Sequence, residues 1–165
     1  MTSTRQSYEP GHRRKFLVVV DETPECDRAV YYAGRRAART QGGLVLLGVM
    51  KLEEANQQWL GVADLMRAEA EDETRARLEK YAVRARQVAN VSAECVVREG
   101  STADAIAQLI AEDLDIAILV LAAGTGKEGP GPLVSSLAGP HSGGFPVPIT
   151  IVPGALSDEE LDAVA

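Results

Sequence analysis

Two groups of residues in this chain have types and spacing that could do chemistry. One is Asp21-Glu22-Thr23, which follows directly on the apolar run Phe16-Leu17-Val18-Val19-Val20. A carboxylate at the carboxyl end of a buried strand faces either a bound ligand or the turn its own chain makes next. The other is the segment 122–136, AAGTGKEGPGPLVSS, with four glycines in eight residues at 124, 126, 129 and 131. Glycine lets backbone N–H groups turn toward an anion with no Cβ in the way, and a helix starting after such a loop adds partial positive charge. Lys127 would supply a point charge there, and Ser135 or Ser136 a hydroxyl. The chemistry implied is the holding of a phosphate; the plainer alternative is a tight surface connection.

Two named phosphate motifs fail on this segment. A Walker loop needs Ser or Thr after Gly126-Lys127, where the chain has Glu128, and Leu121 stands where its first glycine belongs. Gly124, Gly126 and Gly129 have the dinucleotide spacing, but Pro130-Gly131-Pro132 interrupts where a helix should begin, and no acid follows between Glu128 and Asp158 to meet a ribose. His12 and His141 have no nucleophile or acid at a recognisable spacing, no serine sits in a Gly-x-Ser-x-Gly elbow, and no helical His pair suggests a metal. No residue is assigned a catalytic role on these grounds. Cys26 and Cys95, without a CxxC or Cys/His cluster, read as buried small apolar residues.

The elements that must position these groups follow from the pattern of the 165 residues. At 45% hydrophobic and 25% charged the chain suits one globular domain. Its net charge of −7 disfavours a nucleic-acid partner, and the absence of a long apolar run or a signal-like amino terminus gives the expectation of a cytoplasmic protein with no membrane partner. Residues 1–14 read as a flexible arm, 15–153 as the folded domain and 154–165 as an acidic tail that forms a helical turn or frays. Within the domain, Thr23-Pro24-Glu25 supplies a capping hydroxyl and a first-turn proline for a helix whose stripe is Cys26, Val30, Ala33 and Ala37, stopped by Gly42-Gly43. A second apolar strand covers 44–49, and a charge-laced helix about 60–88 buries Leu78, Tyr81, Ala82 and Ala85. Alternation over 91–98 marks an edge strand. Ser101 and Asp104 open a helix with the stripe Ile106, Leu109, Ile110 and Leu114, before an apolar strand at 116–121, a short helix at 133–138 and a last strand at 147–152. Trp59, in the polar connector, reads as a cover for a crevice or partner surface, or as packing on the sheet edge. Strands and helices in alternation give an α/β fold with a mostly parallel sheet covered on both faces.

At this point the chain resembles the universal stress protein family. The resemblance rests on Val19-Val20-Asp21-Glu22-Thr23, on Gly100-Ser101 opening the third helix and on Pro146-Val147-Pro148 before the last strand, and it spans about 15–153. It implies a five-stranded parallel sheet in the order 3-2-1-4-5, an adenine nucleotide alpha hydrolase-like fold, in which Asp21 and the glycine loop face each other across one crevice. It further implies contact of an adenine nucleotide, ATP or another, with Asp21, Glu22, Thr23 and Val49 on one side. On the phosphate side it implies Gly124, Thr125, Gly126, Lys127, Gly129, Ser135 and Ser136, with Mg2+ only alongside nucleotide. The family's motif is Gly, two residues, Gly, nine residues, Gly and then Ser or Thr. Counted back from Pro146, those glycine positions hold Ala122, Thr125 and Ser135, and only the hydroxyl, Ser136, matches. The expectation is a re-drawn cradle and, with Gly139-Pro140 and Ser142-Gly143-Gly144 beyond it, a shortened last helix. The resemblance also implies a homodimer paired through the last strand, bounded by Val147 and Val152, acting in stress response as a binding module. Two other readings stay open: a phosphotransferase or slow ATPase using Asp21, Lys127 and Ser136, and a relative that binds no nucleotide and works through its surface.

Overall fold

The computed structural model describes residues 4–51 and 60–165; Trp59 lies outside them. Lys15–Val20 forms β1, Cys26–Arg39 α1, Gly43–Met50 β2, Leu60–Ala89 α2, Ala93–Glu99 β3, Thr102–Glu112 α3 and Ile116–Ala123 β4. Pro132–Leu137 forms the short α4, Ser142–Gly144 a 3-10 turn, Ile149–Pro153 β5 and Asp158–Val164 α5. The five strands make one sheet in the order β3-β2-β1-β4-β5 with every pairing parallel. This is the expected order, with β3 at one edge.

Strand side chains alternate between faces, and in β1 both faces are buried. Phe16, Val18 and Val20 pack against Val30 and Ala33 of α1 and Leu78 and Ala85 of α2. Leu17 and Val19 pack on the other face with Ile106 and Ile110 of α3 and Val134 of α4. Continuous Val and Leu runs therefore form strands here because neither face meets water.

Several local expectations change. The helix at 26 has no side-chain cap; Thr23-Pro24-Glu25 is a turn, with Cys26 N–H donating to the Thr23 carbonyl, because the Thr23 hydroxyl is already bonded to Asp21. The left-handed residue closing α1 is Gln41 (φ 57°), and Gly42 donates to the Ala37 carbonyl beyond it. Leu114 lies past the end of α3 at Glu112 and is half-buried. Cys95 is exposed, because β3 is an edge strand only partly covered by α2. Residues 4–14 are fastened: the Arg5 guanidinium donates to the carbonyls of Ile110, Asp113 and Ile116, Gln6 N–H to Leu114, and His12 Nδ1 lies 2.7 Å from Asp115 Oδ1. The arm thus differs from the loose segment expected. The acidic tail folds as α5, opened by a reciprocal Ser157/Glu160 capping box.

A left-handed backbone costs a residue with a Cβ about 1 kcal/mol or more, and Gln41 bears that cost at the α1 terminus. Gln41→Gly is expected to raise unfolding stability by about 0.5–1 kcal/mol, the relief being partly offset by unfolded-chain entropy. A urea midpoint that falls instead would show that the Gln41 side chain carries stability of its own.

Candidate functional site

The site grows from the end of β1. Val20 is buried, and at Asp21 the chain leaves the sheet where strand order reverses between β1 and β4. Asp21 Oδ1 accepts two hydrogen bonds from Thr23, from the backbone N–H at 2.9 Å and from the hydroxyl at 2.5 Å. This Asx-type turn fixes both side chains at the strand end.

Two adjoining spaces open there. The larger, about 690 Å³, is lined by Val19 to Thr23 of the β1 end, Val49 to Lys51 at the β2 end, Ser101 to Ala103 opening α3, and Pro132, Leu133 and Ser136 of α4. Its outer wall comes from α2, through Ala70, Glu73, Thr74 and Arg77. That volume is in the range of small-ligand clefts. The α2 wall approaches closely because β2 has glycine opposite it: a Cβ at Gly48 would stand 2.5 Å from Thr74 Cγ2 and 3.2 Å from Leu78 Cδ1. Thr74 is 5% exposed, its hydroxyl bonded to the Ala70 carbonyl at 2.8 Å. Among the charged lining groups, Arg77 Nη2 is paired with Glu22 Oε1 at 2.8 Å, leaving Asp21 and Glu73 with Lys51.

The smaller space, about 80 Å³, lies between Asp21, Thr23, Glu25, Cys26 and Ala29 on one side and Leu121, Ala122 and 130–134 on the other. Here the β1 end and the segment after β4 do meet, through Pro130-Gly131-Pro132. Gly124, Thr125, Gly126, Lys127, Gly129 and Ser135, expected to cradle phosphate, lie outside both linings, whereas Asp21, Glu22, Thr23, Val49 and Ser136 line the larger one.

The loop makes bonds of its own. Gly124 N–H donates to the Pro130 carbonyl at 3.0 Å, Gly129 N–H to Gly126 at 3.2 Å and Ser135 N–H to Gly131 at 3.0 Å. Gly129 and Gly131 hold φ of 91° and 111°, so their freedom is used in turns. Carboxylates stand close beside two of these glycines: a Cβ on Gly124 would meet Glu25 Oε1 at 3.0 Å, and one on Gly126 would clash with the Glu128 carboxylate. Helix α4 has only six residues and ends before Gly139-Pro140, the shortening expected from the sequence.

A family model described as the universal stress protein family matches residues 12–153. The chain belongs to that family. No curated protein sequence matches it. Among solved structures it is similar to a universal stress protein UspA from Lactobacillus plantarum, at 20% identity over 84% of this chain and 97% of that one, with a TM-score of 0.60. A universal stress protein in complex with cAMP matches at 20% identity over 86% and 98% of the two chains, with a TM-score of 0.55. A universal stress protein family protein from Arabidopsis thaliana with AMP bound matches at 19% identity over 88% and 94%, with a TM-score of 0.58. At these identities the likeness is one of fold, a five-stranded parallel sheet flanked by helices.

Sequence reasoning missed the wall of this universal stress protein's cleft. Glu73, Thr74 and Arg77 sit in a charge run that reads as a solvated helix face, and the signal that could have found them is Gly48, a glycine inside an otherwise bulky buried strand. Behind the smaller space, burial pushes the Cys26 thiol from its ordinary value of 9.0 up to about 11, and burial together with the adjacent Cys26 pushes Tyr81 up to about 12.

The sign of the Cys26 shift fixes a pH dependence. The folded thiol holds its proton more tightly than the unfolded one, so its contribution is fully present below pH 9 and is lost as pH rises toward 11. Denaturant midpoints are expected to fall across that window in the native chain and to fall less in Cys26→Ala; identical slopes would remove Cys26 as the cause.

Proposed function

We infer that this universal stress protein is a non-catalytic, homodimeric, cytoplasmic stress-response module that binds an adenine nucleotide carrying at most one phosphate in the 690 Å³ cleft. The observation that carries the reading is the contrast between the open cleft and the self-bonded loop beside it. The nucleoside would lie along Val49, Met50 and Thr23, with Asp21 and Ser136 as polar anchors. A polyphosphate would instead extend toward an 80 Å³ space closed by Pro130 and Pro132 and toward the like charges of half-buried Glu25 and exposed Glu128. That two proteins of this fold are seen with cAMP and with AMP supports a monophosphate. Any Mg2+ would enter only with nucleotide.

Self-association through β5 is supported by its place at the sheet edge and by Ile151, which is 39% exposed there. A bare apolar edge strand invites pairing.

Calorimetric titration tests the reading. AMP or cAMP is expected to bind at least about 10-fold more tightly than ATP, with no ATP turnover, and Asp21→Ala is expected to weaken the monophosphate by about 1–3 kcal/mol through loss of the Asp21–Thr23 turn. Glu128→Gln with Glu25→Gln should narrow the gap to ATP. Equal affinity for ATP and AMP in the native chain would overturn the monophosphate assignment, and silence toward all three would favour the surface-only reading that the self-bonded loop also accommodates.

A further inference from the structure

The most concentrated cationic feature of this acidic chain lies away from the cleft. Arg28, Arg35 and Arg39 are spaced seven and four apart and so share one face of α1, beside Arg84 of α2. The guanidinium carbons of Arg28, Arg35 and Arg84 stand 5.5, 5.6 and 5.4 Å from the centroid of a single ring, that of Tyr31. Three like charges around one phenol repel one another, and a chain with net charge −7 has no general need to gather them. One carboxylate of the same layer, Asp27, pairs with Arg28 and Arg84.

What offsets the rest is α5. Arg28 donates to Asp158 Oδ1 at 2.6 Å and to the Leu156 carbonyl at 2.9 Å, and Arg84 Nη2 lies 3.5 Å from Asp158 Oδ2. The Tyr31 hydroxyl donates to Asp162 Oδ1 at 2.9 Å, which also faces Arg35 Nε at 2.8 Å in an ion pair without hydrogen-bond alignment. Arg39 donates to the carbonyls of Asp162 and Ala165. Between the two aspartates Leu161 is fully buried in the core cluster, while Glu159 and Glu160 stay exposed. The recognition is therefore carried by a short pattern, Asp-x-x-Leu-Asp, on a capped helix of seven residues. The family match ends at Pro153, so this helix lies beyond the matched domain, joined to β5 through residues 154–157.

We propose that the α1/α2 face bearing Arg28, Arg35, Arg39, Arg84 and Tyr31 is a protein-binding surface for an acidic helix with the pattern Asp-x-x-Leu-Asp, and that α5 is its ligand in cis. The occupant in trans is a partner protein presenting such a helix. A helix of seven residues has little stability of its own, so α5 stays folded through these contacts and releases when they are outcompeted. The pairs are mostly half-exposed, so the clasp weakens with salt.

The probe is a fluorescein-labelled, amidated peptide of residues 156–165, and the receptor is the full chain with Asp158→Asn and Asp162→Asn, which keeps Leu161 and hence the core. Hydrogen exchange is expected to show α5 protection falling by about 10-fold or more in this variant while β1 stays protected. Fluorescence anisotropy is expected to show the peptide binding the variant at least about 10-fold more tightly than the native chain, less tightly as salt rises, and about 10-fold less tightly when Arg35→Gln or Arg84→Gln is added. Unchanged α5 protection would show that the ions do not hold the helix and would overturn the proposal. So would a released α5 with no peptide binding, or binding indifferent to both arginine changes. A native chain that runs as a dimer dissociated by excess peptide would make the occupant the α5 of a second copy and would overturn the assignment to a different protein.

Discussion

The structure depends on β1 being shielded on both faces and paired on both edges. All six of its residues pair with β2 on one side and four of them, Lys15 to Val18, with β4 on the other, while Phe16, Val18 and Val20 face α1 and α2 and Leu17 and Val19 face α3 and α4. After Lys15 at its half-buried start such a strand can carry no polar side chain until it ends, because a buried carboxylate inside it would lose its hydration without a partner. The first position free of that constraint is Asp21. The site therefore lies where it does because this is where the core permits charge, and because chain order reverses at the same strand, splaying the following segments apart into a cleft.

Beside that cleft, backbone N–H groups face a choice that binding proteins settle in different ways. Donors left free in a loop are available to an anion but must be hydrated or bound at all times. The loop after β4 has partly taken the other course: Gly124 and Gly129 donate within the segment, Ser135 N–H makes the opening bond of α4, and glycine supplies the dihedral angles for the turns. Opening those bonds for a phosphate would exchange one set of hydrogen bonds for another with small net gain, against repulsion from Glu25 and Glu128. A dense run of glycines thus signals unusual backbone geometry, and the surroundings determine whether that geometry serves a ligand or a turn.

That distinction marks how far the sequence was legible. The strands and the long helices could be read from residue pattern, since a Val/Leu run such as 16–20 has no stable solvated alternative. The order 3-2-1-4-5 came from the resemblance to a family, because pairing of non-adjacent strands leaves no trace in local periodicity. Asp21, Thr23, Val49 and Ser136 were legible as residues facing one cleft because strand ends and helix starts are fixed by the fold. The six loop positions were not, because their fate depends on carboxylates at 25 and 128, one of them nearly a hundred residues away. Cys95 was misread for a similar reason: alternation gives the face of a strand but not how much of that face a neighbouring helix reaches.

The two segments flanking the β1–β5 domain obey one electrostatic rule despite opposite charge. A helix ends with carbonyls that lack intrahelical partners and carry partial negative charge, and cations near the last turn relieve it. Neither α3 nor α5 has a basic residue in its last turn. For α3 the cation arrives from the amino-terminal segment, as Arg5 on the Ile110 and Asp113 carbonyls; for α5 it arrives from the domain, as Arg39 on those of Asp162 and Ala165. The basic arm and the acidic tail are therefore held by the same bond with donor and acceptor exchanged between segment and domain. The difference lies in how it is reinforced. Arg5 sits among carbonyls, groups that keep their partial charge at every pH and salt concentration, whereas α5 relies on carboxylates half open to water. Of the two segments, α5 is accordingly the one whose attachment responds to its surroundings.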